Sequence, residues 1–338
     1  MADIAWALRT EVKAEQLDAF EKEGLLSKEA HADALEWIGK ERASWITWRA
    51  FVSYVFLFLG IGLLVAGVIF FFAYNWAHMG RFVKFGLLEV AILGAALVAW
   101  QRGLETLGGQ ASLLLAILLV GPLLAVYGQT YQTGADAFTL FLGWFLLVFG
   151  WVLISRLAAA WFVWWVLVLL TVVLFCAQVI PDRLGGLSAL SAMMAMNAVA
   201  LAVWESLSVS RFPWLQTPVR WVPRVLLIVI LYALSTAMVL VITESRYMHD
   251  ELPHFRPFWV LGYVVGMPLL VWVYAMRRTD LFALVGVALS FVVVSTTFVG
   301  RWMRDGLETF FFLSLLVIAE VALAAFLLRK VHHHAQSK

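Results

Sequence analysis

Between the apolar runs Ala111–Val126 and Ala137–Ile154 the chain reads YGQTYQTGAD, from Tyr127 to Asp136, with no Lys or Arg. Hydrocarbon supplies no hydrogen-bond partners, so polar groups held beside it must find each other, a bound species or water. That argument singles out Tyr127, Gln129, Tyr131, Gln132 and Asp136. A second polar and aromatic set, Tyr74, Asn75 and Trp76 followed by His78, ends the first apolar run. If the first and third runs are neighbours, these eight candidate substrate-binding residues form one patch. Stacking and amide hydrogen bonds there suit a sugar, a lipid headgroup or a peptide. The plainer explanation is that Tyr and Trp gather at membrane interfaces, and for Trp76 alone it is the stronger one. The repeated amides Gln129 and Gln132 with Asp136 ask for more than solvent exposure.

Two carboxylates lie inside apolar runs, Glu89 and Glu320. Ionisable groups at that depth are costly and face a cavity or a partner, which makes both candidates for proton coupling. Glu89 has Lys84 and Arg81 within reach as ordinary ion-pair partners. Glu320 has no basic residue within a turn, and its competing role is a protonated contact between helices. Asn197 and Gln178 read as interhelical glue of that kind. Catalytic motifs are absent: there is no GxSxG, no phosphate-cradling glycine loop and no CxxC, and the one cysteine is Cys176. The HDELPH stretch (His249, Asp250, Glu251, His254) does not have the helical HExxH spacing of a zinc site. His332, His333 and His334 belong to a terminal tail. No catalytic residue, metal or cofactor is expected; an intramembrane enzyme ranks third among the functions, with an outer-face transferase using Asp136 as the form left open. Arg301 and Arg304 beside Trp302 suit lipid phosphates or simple interfacial anchoring.

The elements that position these residues follow from composition. Of 338 residues 63% are hydrophobic and only 14% charged, and mean hydropathy is +0.91. Soluble domains carry about 25% charged residues, so this chain cannot cover a soluble globule. A net charge of +2 with scattered basic residues excludes a nucleic-acid role. The expected fold is all-α: a polytopic helix bundle of ten spans, at 51–73, 83–100, 111–127, 137–155, 160–180, 187–204, 224–242, 257–276, 280–299 and 309–329. Ahead of it, 1–48 reads as a helical hairpin, with Gly24 as a stop and Ser27 as an N-cap. No cleavable signal is expected there. Residues 49–204 hold six spans, 205–223 a Pro/Trp/Arg connector, 224–330 four spans and 331–338 the tail.

Basic residues near span ends number twelve on the side of the N-terminus and seven on the other, which puts both termini in the cytoplasm. Gly121-Pro122 and Gly266-Met267-Pro268 interrupt the third spans of two five-span halves. Paired interruptions are a weak pointer to a carrier built from inverted repeats. Gly262-x-x-x-Gly266 also permits close helix packing.

At AYNW (Ala73–Trp76), RFVKF (Arg81–Phe85) and GPLLAVYGQTYQTGAD (Gly121–Asp136) the chain resembles the bacterial predicted membrane proteins grouped as domain of unknown function 2157, over about residues 20–155. The resemblance implies a multi-span protein of the bacterial inner membrane and carries no activity. Two functions remain in view. One is a carrier or flippase-like transporter with an outer-face polar site. The other is a non-catalytic subunit, scaffold or sensor recruiting a protein partner through residues 1–48. Lipid is the one partner that composition requires, and the oligomeric state is open.

Overall fold

The computed structural model describes residues 14–39, 45–134, 136–180, 182–207, 220–243, 252–278, 280–303 and 306–336. These residues form twelve helices and no strand. In chain order they are α1 (Ala14–Lys22), α2 (Lys28–Gly39), α3 (Trp45–Asn75), α4 (Arg81–Arg102), α5 (Leu107–Tyr131), α6 (Ala137–Ile154), α7 (Ala158–Val179), α8 (Asp182–Leu207), α9 (Trp221–Thr243), α10 (Leu252–Trp272), α11 (Leu281–Arg301) and α12 (Leu307–Gln336). Ten of them, α3 to α12, are long and apolar enough to cross a bilayer. Their outward faces agree: Phe70, Phe82 and Phe310 are each more than 70% exposed, a pattern suited to lipid and ruinous in water.

Two compact units divide within α3, one in Met1–Gly67 and one in Val68–Lys338. In the first, α1 and α2 pair as a hairpin. Gly24 turns the chain at φ +73°, and the Ser27 hydroxyl accepts from the Ala30 N–H at 3.2 Å to start α2. His31 bridges back to α1, lying 2.9 Å from Asp18 and 3.2 Å from Glu21.

In the second unit two groups of four helices share most of one order of packing. In α4–α7, α5 touches α4, α6 and α7, and α6 touches α7; in α8–α11, α9 touches α8, α10 and α11, and α10 touches α11 and also α8, while α7 packs on α8 across the two groups. The central helix of each group, α5 or α9, is the most enclosed of the ten. An ion pair recurs at one end of each group: Glu105 with Arg156, and Glu205 with Arg278 at 2.9 Å. Helices four apart run in the same direction, so this repeat is parallel. This order does not divide the ten spans into the two five-span halves considered from the sequence. Pro122 lies in the second helix of its group and Pro268 in the third, so the two interruptions are not equivalent. α12 stands outside both groups and packs on α11.

Three local expectations also change. Tyr127–Tyr131 is the last turn of α5, and only 132–136 lies between helices. Glycine at 128 did not stop the helix because the apolar face of α5 stays buried as far as Val126. Pro223 sits in the first turn of α9, where a missing N–H costs nothing. His332–His334 continue α12 to Gln336 instead of forming a tail. Residues 208–219, 244–251 and 304–305 lie outside the described set, and with them Pro213, Pro218, His249, Asp250, Glu251 and Arg304.

Gly121-Pro122 has a packing explanation. A Cβ at Gly121 would meet the Trp144 ring of α6 at 2.2 Å. Pro122 leaves the Leu118 carbonyl without its helical donor, and one residue earlier the Trp144 indole N–H donates to the Ile117 carbonyl at 2.8 Å. In the eighth span only Gly262 is close to neighbours, Met194 and Leu234, while Gly266 faces open space. Gly121→Ala is therefore expected to lower stability by about 1–3 kcal/mol through overpacking. Unfolding in mild detergent measures it; a midpoint equal to wild type would contradict the Trp144 contact.

Candidate functional site

The rim site begins with how α5 ends. Gln132 adopts the left-handed conformation (φ 46°, ψ 48°), and its N–H bonds the Gly128 carbonyl. Thr133 donates to the same carbonyl at 3.3 Å. Both bonds serve the Gly128 carbonyl, one of the terminal carbonyls that lipid would leave bare. A non-glycine residue in this region bears strain of about 1–2 kcal/mol. Gly134, at φ 59°, completes the reversal, and α6 begins after Asp136. The Asp136 side chain makes no cap bond. Instead Gln178 of α7 reaches across, its Oε1 accepting from the Phe138 N–H at 3.2 Å.

Beside this turn stands Trp76, at the start of the short 3-10 turn Trp76–His78 that follows α3. Trp76 packs with Phe85 and Leu123 against a small core of Phe72, Leu88 and Val126. This core joins the end of α3 to α4 and α5. Lys84 of α4 is buried and places its Nζ 3.4 Å from the centre of the Trp76 ring. It has no carboxylate partner among the described residues. The cation–π contact is thus the visible compensation for desolvating an ammonium.

A cavity of about 570 Å³ opens here, lined by Trp76, Gln129, Gln132, Thr133, Gly128 and Leu140 among others. Among the described residues no charged side chain lines it. Three of the expected residues, Trp76, Gln129 and Gln132, therefore meet in one place. The other five do not line it. Tyr74 is 87% exposed, and the Asn75 amide is spent on its own helix, donating to the Phe71 carbonyl at 2.9 Å. Tyr127 and Tyr131 contact each other with centroids 5.0 Å apart, and Tyr131 stacks on Phe85 at 6.0 Å. They brace α4 against α5. Asp136 is exposed beyond the cavity edge.

The intramembrane carboxylates stand elsewhere. Glu89 is exposed on α4 and pairs with neither Arg81 nor Lys84. Glu320 is half-buried on α12, and its Oε2 is out of solvent with no partner among the described residues. Neither lines the rim cavity. Asn197 is glue, as expected: it accepts from the Trp165 indole at 3.2 Å and donates to the Met193 carbonyl at 2.7 Å.

A second polar cluster was not anticipated. Val273–Arg277 forms a π-helical turn, which aims the Tyr274 hydroxyl at Glu205, 3.3 Å away. Arg278 pairs with the same carboxylate and donates to the Glu205 carbonyl at 2.6 Å. Asp280 is buried, holds Arg224 through two bonds of 3.1 and 3.3 Å, and caps α11. The available signal was Arg-Arg-Thr-Asp ahead of an apolar run, an N-cap pattern. These bonds form a clasp between helix ends. Among the described residues no cluster of His, Cys, Asp and Glu could hold a metal.

Comparison with known proteins agrees with this picture at the level of family. Residues 18–161 match the family model described as "Predicted membrane protein (DUF2157)". The matched segment takes in α5, the Trp76 turn and the whole rim cavity. Neither a curated protein nor a solved structure matches the chain at a significant level.

The Lys84–Trp76 contact is testable by a double-mutant cycle. Trp76→Leu and Lys84→Met, alone and together, should show a coupling of about 1–2 kcal/mol in reversible unfolding. Strictly additive losses would remove the contact from the account.

Proposed function

We propose that this membrane protein is a carrier or flippase-like binder that takes a neutral, hydroxyl- or amide-rich group, such as a sugar or a glycosylated headgroup, at its outer rim. One observation carries the proposal: Trp76, Gln129 and Gln132 line a single cavity that has no charged wall. An indole stacks on the apolar face of a sugar ring, while two amides offer both donors and acceptors to its hydroxyls. A phosphate or carboxylate would find no countercharge in that lining. Tyr74, Asn75, Tyr127, Tyr131 and Asp136 are assigned to the rim around the site. Glu89 and Glu320 are kept out of ligand binding. A proton-coupling role for Glu320 draws support from its partnerless Oε2.

The proposed setting is the bacterial inner membrane with both termini cytoplasmic, supported by the bias of basic residues between the two sides. A second reading, recruitment of a protein partner through residues 1–48, is favoured by the exposed Phe20 (41%) and Leu25 (69%) on the α1–α2 hairpin. Deleting 1–48 would abolish co-purification of such a partner while leaving rim binding intact.

Calorimetry on the protein in nanodiscs, with maltose and glucuronate as probes, tests the binding claim. Maltose should bind and glucuronate should not. Gln129→Leu should weaken maltose about tenfold by removing paired amide bonds. Gln132→Gly should weaken it similarly while holding or raising stability, since glycine relieves the left-handed strain. Equal binding of the acid, or unchanged maltose binding in both variants, would contradict the proposal. Counterflow of maltose in proteoliposomes then separates a carrier from a binder that does not transport.

A further inference from the structure

Within α11 the run Ser295-Thr296-Thr297 sets three hydroxyls in a row. The flanking two are spent on their own helix: Ser295 donates to the Phe291 carbonyl and Thr297 to the Val293 carbonyl, each at 2.7 Å. Thr296 differs. Its Oγ1 is out of solvent and has no partner among the described residues. Glu320 of α12 is in the same condition, its Oε2 out of solvent and unbonded. A polar atom kept from both water and a partner is costly beside hydrocarbon. Here two of them stand on helices that pack together.

The register of the α11–α12 seam sets them at nearly one level. A Cβ at Gly300 would lie 3.5 Å from the Leu313 side chain, so the two antiparallel helices are level there. Farther along, Leu328 packs against the core that holds Leu284 and Val287, as the same register requires. Thr296 is one turn from Gly300 on α11, and Glu320 is two turns from Leu313 on α12, so each shares the face of its reference residue. Counted from the Gly300–Leu313 level, they differ by roughly 4.5 Å along the axis, within the span of a glutamate side chain. The burial pattern agrees. Leu313, Leu316, Val317, Glu320, Ala324 and Leu328 are half-buried, while the residues between them are exposed. Glu320 therefore sits in the stripe that meets α11 and not on the outward face of α12.

The chemistry narrows what this pair can hold. The nearest charged residues on either helix are Arg301 and Arg329, roughly 12–14 Å from Glu320 along the axis. Metal cations near the midplane of membrane proteins draw on carbonyls freed where a helix unwinds, whereas α11 and α12 are unbroken. A proton needs no such cage. A hydroxyl also suits both states of a carboxyl, accepting from the acid and donating to the carboxylate.

We propose that Glu320 and Thr296 form a proton-binding site in the α11–α12 seam, with Glu320 taking the proton and Thr296 positioning the carboxyl in both states. This rests on the proton-coupling reading of Glu320 and supplies the second residue and the helix that carries it.

Carbodiimide labelling tests the site without substrate or transport, so its outcome is independent of rim binding. Dicyclohexylcarbodiimide enters lipid and modifies protonated carboxyls. The full chain in nanodiscs is labelled across a range of pH, and peptide mass spectrometry counts adducts on Glu320 and on Glu89, the exposed carboxyl of α4. Glu320 labelling should fall at least about tenfold as the medium is made alkaline, and excess sodium at constant ionic strength should not change it. Thr296→Val should carry that fall about one pH unit further into the alkaline, since a hydrogen bond to a charged group is worth more than one to a neutral acid. Thr296→Ser should restore the wild-type profile, and neither variant should alter Glu89. The wild-type profile with and without sodium needs no variant, so it stands even where a variant fails to fold. Protection of Glu320 by sodium, no labelling of Glu320 at any pH, or an unchanged profile in Thr296→Val would each overturn the proposal.

Discussion

A polar group left without a partner in hydrocarbon costs several kcal/mol, and much of this molecule is arranged around that cost. The indoles show it most directly. Trp144 donates to the Ile117 carbonyl beside Pro122, Trp164 to the Phe145 carbonyl, Trp165 to Asn197 and Trp259 to Ser191. Each such bond ties one helix to another while silencing a donor. Ser and Thr hydroxyls within the spans mostly bond back to their own helices, as Thr171 does to Leu167 and Thr297 to Val293. The exposed surface of the spans is mostly aliphatic and phenyl side chains, with Tyr232 and Glu89 among the exceptions.

Glu320 on α12 escapes this rule within a span, and two further polar groupings lie at helix ends, where they do different work. At one end Glu205, Tyr274, Arg278, Arg224 and Asp280 satisfy each other and clasp α8 to α11. At the other, Gln129 and Gln132 are left facing a cavity with Trp76. The parallel order of α4–α7 and α8–α11 puts a cavity beside the central helix of each group. One is neutral and the other is lined by two arginines. The two cavities differ in the chemistry of their walls.

The ten spans were legible because apolar runs of about 18 residues or more have one outcome in a bilayer. Trp76, Gln129 and Gln132 were legible for the same reason in reverse, as polar groups where lipid begins. The helical state of Tyr127–Tyr131 was not, because glycine and glutamine look like loop while the packing of Val126 and Tyr131 on α4 decides otherwise. Asn75 looked like a ligand-binding amide, but a helix-terminal carbonyl lay closer than any ligand. The Glu205–Arg278 and Arg224–Asp280 pairs join residues more than 50 positions apart, and no local pattern announces such pairing. The four-helix repeat was hidden too. It survives in packing order and in the placement of ion pairs, not in residue identities.

The central proposal is that α5 ends at a rim on the outer side, with Gln129 and Gln132 lining the cavity beside Trp76. Cys176 is buried and is the one native cysteine, so Cys176→Ser provides a silent background for single-cysteine labelling. In that background Gln132→Cys should react with a membrane-impermeant maleimide on intact spheroplasts, while Arg156→Cys, at the opposite end of α6, should react only after permeabilisation. Labelling of Gln132→Cys only in permeabilised membranes, or in neither condition, would contradict the account.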